Sequence, residues 1–178
     1  MSLVPNHIRN LLRYKAGKPI DEVKRELGLE KVIKLASNEN PLGPSLKAIK
    51  AIESSLKSIS LYPDSNGFYL REKLSEKFSL DIENVVLGAG SEGIMATIMR
   101  TFLNNSDHIL ATKNSFIGFR VLANASGKKI DWVPMREYAY DLNAMLDSIH
   151  DKTKIIYLAN PDNPTGTYFD KSMFDDFI

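Results

Sequence analysis

Cysteine is absent from the chain and histidine is scarce, and both facts narrow the chemistry that the protein performs. Without cysteine there are no disulfides, no zinc–thiolate sites and no thiol nucleophile. The three histidines, His7, His108 and His150, are far apart in the sequence and lack the spacing of a metal-binding motif. We therefore expect no metal site.

The sequence also has no excess of positive or negative charge, and it contains no long apolar run. Lys and Arg total 23 against 22 Asp and Glu, so the formal net charge of +1 provides no general attraction to nucleic acid or anionic membrane. The N-terminus has neither the basic region nor the apolar stretch of a secretory signal, and no later segment approaches the length of a membrane span. We expect a cytoplasmic protein whose function depends on a local site.

Apolar residues alternate between strand-like and helix-like patterns in the second half of the chain. Short apolar runs predict strands at 85–87, 108–111, 130–133 and 154–159, and the segments between them have helical periodicity. This alternation predicts right-handed crossovers and a mainly parallel sheet covered on both faces, which is an α/β fold. The predicted helices are 5–14, 21–27, 45–58, 68–78, 92–103, 116–125, 141–149 and 171–178, with one further short strand at 32–36.

Three glycines, Gly88, Gly90 and Gly93, follow the first strand of this alternating region. Their spacing matches the dinucleotide fingerprint, but such a site needs an acidic residue at the end of the next strand, and residues 111–114 are Ala-Thr-Lys-Asn. A cup for a single phosphate fits better, because glycine permits close approach and the first amides of a helix have no intrahelical acceptor. A turn that binds nothing is the structural alternative.

Two further strand ends carry unusual residues. Phe116 and Phe119 follow the second strand, and Asn163 stands between two prolines after the fourth. The carboxyl ends of parallel strands meet at one edge of a sheet, where ligands bind. An anion cup, an aromatic ring and an amide at one edge suit a planar, phosphorylated cofactor.

This combination resembles the fold type I family of pyridoxal-5'-phosphate enzymes, and the chain from about residue 14 onward resembles the N-terminal half of the histidinol-phosphate aminotransferases. The resemblance implies part of a three-layer sandwich with an N-terminal helical arm: residues 1–44 as the arm and small-domain segment, and 45–178 as the N-terminal part of the cofactor-binding large domain. It rests on the 88–93 loop and on four other motifs: Tyr-Lys-Ala-Gly-Lys-Pro-Ile at 14–20, Leu-Ala-Ser-Asn-Glu-Asn-Pro-Leu-Gly-Pro at 35–44, Tyr-Pro at 62–63 with Leu-Arg-Glu-Lys-Leu at 70–74, and Asn-Pro-Asp-Asn-Pro-Thr-Gly at 160–166.

The resemblance also implies roles for individual residues. The amides around Ser91 and Glu92, with Gly90 allowing the approach, are expected to hold the phosphate of pyridoxal 5'-phosphate. Phe116 is expected to stack on the cofactor ring, and Asn163 to donate to its phenolic oxygen. Three further positions match residues that act in the family's homodimer or substrate site: Tyr62 reaches the neighbouring subunit's phosphate, and Tyr14 and Asn38 line the site for an amino-acid-like phosphate substrate.

Each of these assignments has a structural alternative. Phe116 is also typical of a core residue, and Tyr62 and Asn163 are typical of turns before proline. The sequence departs from the family at two points, where Gly93 follows the acidic residue of the loop and Asn114 replaces a proline.

The family's Schiff-base lysine, its acidic partner for the pyridine nitrogen and its substrate-binding arginine lie downstream of the Asn-Pro-Thr-Gly motif. We therefore assign no catalytic residue and interpret the chain as a fragment of such an enzyme. The parent activity transfers an amino group between L-histidinol phosphate and 2-oxoglutarate in histidine biosynthesis. Threonine-phosphate decarboxylase, another class I/II aminotransferase and a non-catalytic fragment or dimerisation module are the alternatives.

The purified 178-residue chain is predicted to have no aminotransferase activity, because transamination needs a lysine amine that forms the covalent link to the cofactor. The assay supplies histidinol phosphate, 2-oxoglutarate and pyridoxal phosphate and measures glutamate formation. A rate above that of the cofactor alone would contradict the prediction.

Overall fold

The computed structural model describes residues 2–11 and 17–178 of the chain. Within these ranges no helix is both long enough and apolar enough to cross a membrane. The chain divides into two compact units, one formed by Met1–Arg13 with Gly88–Ile178 and the other by Tyr14–Leu87. The elements are α1 (Asn6–Arg9), α2 (Ile20–Leu27), α3 (Leu46–Ser55), α4 (Phe68–Phe78), α5 (Gly90–Phe102), β1 (His108–Thr112), α6 (Ile117–Ala125), β2 (Lys129–Val133), α7 (Leu142–Asp147), β3 (Thr153–Ile156) and α8 (Lys171–Phe177).

Most predicted helices are confirmed with ends that shift by a few residues. α2 ends at Gly28, whose φ of +64° provides the left-handed C-cap that glycine favours. The helix predicted over 45–58 is α3 followed by a 3-10 turn at Leu56–Ser58. The helix predicted over 5–14 is shorter, because α1 ends at Arg9, and the last part of that range lies outside the described residues.

Two strand predictions are wrong. Residues 32–36 and 85–87 have no regular secondary structure, and the described residues contain strands only between 108 and 156. In the second segment Val85 is buried while Val86 is 71% exposed. An apolar run becomes a strand only where a neighbouring strand accepts its backbone hydrogen bonds, and neither segment has such a neighbour among the described residues.

The unit Tyr14–Leu87 contains a link that the sequence pattern does not show. Arg71 of α4, which looks like a surface cation, donates from Nε to the Val85 carbonyl at 2.8 Å and from a terminal nitrogen to the Ile82 carbonyl at 2.7 Å. Two charge-assisted hydrogen bonds therefore tie α4 to the segment that leads into the glycine loop.

The sheet has three parallel strands in the order β2-β1-β3. Their bounds agree with the predicted strands at 108–111, 130–133 and 154–159, except that β3 ends at Ile156. α6 connects β1 to β2 and α7 connects β2 to β3, as parallel pairing requires. The α/β prediction is confirmed.

Alternate residues of the central strand point into two separate cores, one on each face of the sheet. Ile109, Leu110 and Ala111 have no exposed surface, and burial of each of the two larger side chains contributes about 1.5–3 kcal/mol. One core lies between the sheet and helices α7 and α8, and the other between the sheet and helices α5 and α6. The first contains Leu110, Val133, Tyr140, Leu142, Met145, Phe169 and Phe177, and the second contains Met99, Leu103, Ile109, Ala111, Phe119 and Ala123.

Candidate functional site

The carboxyl edge of the sheet carries the loops in which the sequence places a ligand. β1 ends at Thr112 and runs through residues 113–116 into α6, while β3 ends at Ile156 and runs into the proline-rich segment 160–166. α5 begins at Gly90, within the glycine loop of residues 88–93. All of these segments belong to the unit that contains the sheet.

The N-terminus of α5 has the features of an anion cup. No side chain caps this helix in the described structure, in contrast to α7 and α8, which Asp141 and Asp170 cap. Gly90 has a φ of +69° and open space where a Cβ would be, so its backbone is accessible from outside. Ser91 and Glu92 are exposed. The Gly90 amide donates to the Gly88 carbonyl at 2.9 Å, and the next amides of α5, those of Ser91 and Glu92, are available to an anion, which the helix dipole also favours.

The ring of Phe116 lies beside this cup. Phe116 precedes α6 and is half-buried against the core formed with α5 and α6. A Cβ added to Gly118 would lie 2.5 Å from Cε1 and 2.7 Å from Cζ of Phe116, and 3.0 Å from Oε1 of Glu92. The ring and the Glu92 carboxylate thus meet over the bare backbone of Gly118, and a side chain at 118 would displace both.

A hydrogen bond connects the loop after β1 to the loop after β3. Ser115 Oγ donates to Asp162 Oδ1 at 2.5 Å, and Asp162 is only 4% exposed. Thr165 donates to the second carboxylate oxygen from its hydroxyl at 2.9 Å and from its amide at 3.4 Å. The buried carboxylate is thereby satisfied, as its burial requires.

Tyr140 extends this network to the end of β3. Its hydroxyl lies 2.9 Å from Ser115 Oγ and accepts from the Ala159 amide at 3.1 Å. Because the Ser115 proton is donated to Asp162, the Tyr140 hydroxyl is the donor to Ser115. Burial raises the pKa of Tyr140, the charge of Asp162 adds to that rise, and the hydrogen bond from the Ala159 amide opposes it. The phenol therefore keeps its proton.

Tyr157 supports the same edge of the sheet from the other core. Its ring stacks on Phe119 with centroids 3.6 Å apart and an interplanar angle of 11°. Burial, followed by the proximity of Tyr140 and Asp162, raises the pKa of Tyr157 to about 12. Phe119, which the sequence groups with Phe116, is thus a core residue at 4% exposure.

The predicted site residues fall into three groups. The first group belongs to the unit that contains the sheet and comprises Gly90, Ser91, Glu92, Phe116 and Asn163. Asn163, which directly follows the buried Asp162, is exposed. Two more belong to the unit Tyr14–Leu87: Tyr62, which is fully exposed, and Asn38, which is exposed with a φ of +51°. Tyr14 lies outside the described residues.

The sequence prediction missed Ser115, Tyr140, Asp162 and Thr165. A local signal existed for one contact, because aspartate commonly accepts from the amide three residues later, as Asp162 does from Thr165. The contacts to Ser115 and Tyr140 join distant parts of the sequence and have no local signal.

A further missed cluster lies at the opposite, amino edge of the sheet. His108 and His150, although far apart in the sequence, both contact the carboxylate of Asp131. Their separation in the sequence therefore did not predict that the fold brings these two histidines together.

Comparison with known proteins gives consistent matches. The family model for aminotransferase class I and II matches residues 30–178. The chain is 42% identical over 178 residues to histidinol-phosphate aminotransferase 2 of Pasteurella multocida, covering all of this chain and 49% of that protein. It is 44% identical over 172 residues to histidinol-phosphate aminotransferase 2 of Hydrogenovibrio crunogenus, covering 97% of this chain and 46% of that protein. The chain therefore spans about half the length of these curated relatives.

A solved structure shares the fold. The histidinol-phosphate aminotransferase of Sinorhizobium meliloti, in complex with pyridoxal-5'-phosphate, aligns with a TM-score of 0.84 at 21% identity over 99% of this chain and 47% of that one. At this level of identity the likeness concerns the fold alone.

Replacement of Ser115 by alanine is predicted to destabilise the unit that contains the sheet by about 1–3 kcal/mol, because the buried Asp162 carboxylate loses a donor. Ser91→Ala is the matched control, since Ser91 is exposed, and its effect is expected to stay within about 0.5 kcal/mol. Urea unfolding followed by the fluorescence of Trp132, the single tryptophan, measures both variants. Equal unfolding midpoints for the two variants would contradict the prediction.

Proposed function

Because the chain belongs to the class I and II aminotransferase family, we propose that it is part of an enzyme that transfers an amino group between L-histidinol phosphate and 2-oxoglutarate with pyridoxal 5'-phosphate as cofactor. The observation that carries this proposal is identity of about 40% to curated histidinol-phosphate aminotransferases along the whole chain. The biosynthesis of histidine is the corresponding pathway.

The open N-terminus of α5 supports a phosphate site there. Amides of Ser91 and Glu92 donate to the phosphate, and Gly90 lets it approach the backbone. The Glu92 side chain turns away towards Gly118 rather than capping its own helix. Its carboxylate therefore does not compete with the phosphate for the first amides.

Phe116 and Asn163 are proposed to orient the cofactor ring. Cε1 and Cζ of Phe116 lie against Gly118 and the residue packs on the adjoining core, but it is only half-buried, and its remaining exposed surface is proposed to stack on the cofactor ring. Asn163 is exposed, and the hydrogen bonds of Asp162 hold the backbone next to it, so its amide is available to donate to the phenolic oxygen. When bound, the cofactor supplies an electron-withdrawing ring that stabilises negative charge developing on the substrate.

The remaining parts of the proposal concern assembly and substrate. Tyr62 is proposed to reach the phosphate of a second subunit in a homodimer, and its full exposure is compatible with such a contact. Asn38 and Tyr14 are proposed to line the substrate site. These roles and the assignment of residues 1–44 and 45–178 to different domains are supported by the family resemblance alone. A cytoplasmic location, expected from the sequence, is also part of the proposal.

The product of the complete reading frame that contains these residues is expected to transaminate histidinol phosphate with 2-oxoglutarate. Glutamate dehydrogenase coupling measures the rate, and O-phospho-L-threonine serves as the competing substrate. Transamination of histidinol phosphate with no decarboxylation of phosphothreonine supports the proposal. The reverse result would assign the protein to the decarboxylase branch and overturn it.

The cup and ring are tested separately in the 178-residue chain with 4'-deoxypyridoxine 5'-phosphate, which has no aldehyde and so does not react with surface lysines. Its affinity is expected to exceed that of 4'-deoxypyridoxine by at least about tenfold, because the latter lacks the group that the α5 amides bind. Phe116→Ala is expected to weaken binding roughly three- to tenfold, whereas Phe116→Tyr preserves it.

Phe102→Ala is the matched control for the ring, since Phe102 ends α5 and is 56% exposed. Calorimetry with each variant gives the affinities. Equal affinity for 4'-deoxypyridoxine 5'-phosphate and 4'-deoxypyridoxine would contradict a phosphate site at α5. Equal effects of Phe102→Ala and Phe116→Ala on binding would contradict the ring contact of Phe116.

A further inference from the structure

Three side chains with metal-binding atoms converge at the amino edge of the sheet. His108 begins β1, Asp131 lies within β2, and His150 lies between α7 and β3. His108 Nδ1 is 2.8 Å and His150 Nε2 is 2.9 Å from the same oxygen, Asp131 Oδ2. The three potential ligand atoms all lie within 4.8 Å of one another.

Backbone hydrogen bonds fix the positions of the two histidines. The His108 amide donates to the Lys152 carbonyl at 2.8 Å, which joins the start of β1 to the segment that carries His150. The His150 amide donates to Thr153 Oγ1 at 3.1 Å, and the Thr153 amide donates back to the His150 carbonyl at 2.9 Å. The histidines are therefore held by the sheet and by a closed turn.

Strand register places Asp131 on the same face as His108. His108 pairs with Lys129 in the parallel ladder, and side chains two residues apart on a strand share a face. The side chains of His108, Asp131 and His150 are 14%, 34% and 37% exposed. The cluster is thus partly shielded by the protein and still open to an ion from solution.

We propose that His108, Asp131 and His150 form a binding site for a divalent metal ion of the zinc class. Two imidazoles and one carboxylate are a donor set that zinc uses, and three protein ligands leave a fourth position for water. Bonds of about 2.1 Å in tetrahedral geometry place ligand atoms roughly 3.3 Å apart. Side-chain movements on the order of an ångström bring the present arrangement to that geometry.

Metal binding changes the protonation of His150. In the metal-free protein its Nε2–H donates to Asp131, and its Nδ1 accepts from the Lys152 amide at 3.2 Å. For Nε2 of His150 to bind a metal, its proton leaves to solvent and Nδ1 takes up a proton, which ends the hydrogen bond from the Lys152 amide. Oδ1 of Asp151 lies 3.6 Å from Nδ1, so a side-chain movement of about half an ångström lets it accept that N–H. A carboxylate behind a ligating histidine is a common arrangement that orients the ring. His108 changes in the corresponding way, because its Nδ1 loses to solvent the proton that it donates to Asp131 and its Nε2 takes one up.

The site is independent of the cofactor proposal, since it lies at the opposite edge of the sheet from the glycine loop. The test titrates Zn²⁺ into the untagged, metal-free 178-residue chain by calorimetry, in a buffer that does not chelate metals. One ion per chain is expected to bind with saturation. Ring ¹H–¹⁵N NMR signals of His108 and His150 are expected to shift, while those of His7 stay unchanged.

Variants separate this site from adventitious binding. His108→Gln, His150→Gln and Asp131→Asn are each expected to weaken Zn²⁺ binding by at least about tenfold. His7→Gln, the matched control for the third histidine, is expected to leave it unchanged. Circular dichroism confirms that each variant is folded. Absence of saturable binding, loss in His7→Gln, or unchanged binding in Asp131→Asn would each overturn the proposal.

Discussion

The hydrogen bond between Ser115 and Asp162 is the interaction on which the carboxyl edge of the sheet depends. It joins two loops that have no regular secondary structure, and its acceptor is buried. A buried carboxylate without donors is costly, so only loop conformations that supply them are stable. Phe116 and Asn163 are the residues that follow Ser115 and Asp162 in sequence. The Ser115–Asp162 hydrogen bond therefore positions the backbones of Phe116 and Asn163 without using their side chains. Both side chains remain available for a ligand.

The sheet supplies the frame for this edge. α5 and α6 cover the same face and both begin at the carboxyl edge, so their N-termini open towards one region. Gly118 allows the ring of Phe116 and the carboxylate of Glu92 to approach each other there. The opposite face is closed by α7 and α8, in each of which an aspartate cap accepts a hydrogen bond from one amide of the first turn. The face covered by α5 and α6 thus has a helix end available for an anion. The capped helices α7 and α8 on the opposite face serve packing.

Local patterns in the sequence predicted what depends on local physics. Apolar periodicity located β1, β2, β3 and the helices, since burial of one face of each element is encoded in neighbouring residues. The same pattern failed at residues 32–36 and 85–87, because a strand also needs a partner, and periodicity does not encode pairing. The glycine loop was recognisable because conformational freedom and helix amides are local properties. The contacts of Ser115 with Asp162 and of His108 and His150 with Asp131 depend on the fold, so no sequence spacing could reveal them.

One of the two departures from the family pattern has a backbone explanation. Asn114 has a φ of +68°, a conformation that asparagine tolerates and that the ring of proline, fixed near −65°, excludes. A Cβ at Gly93 would lie 3.4 Å from the Ala89 Cβ, which is ordinary contact, so the helix has room for a Cβ there. The first departure follows from the path of the loop before Phe116, and the second is not imposed by packing. Neither displaces the α5 amides or the Phe116 ring, so neither argues for a different cofactor.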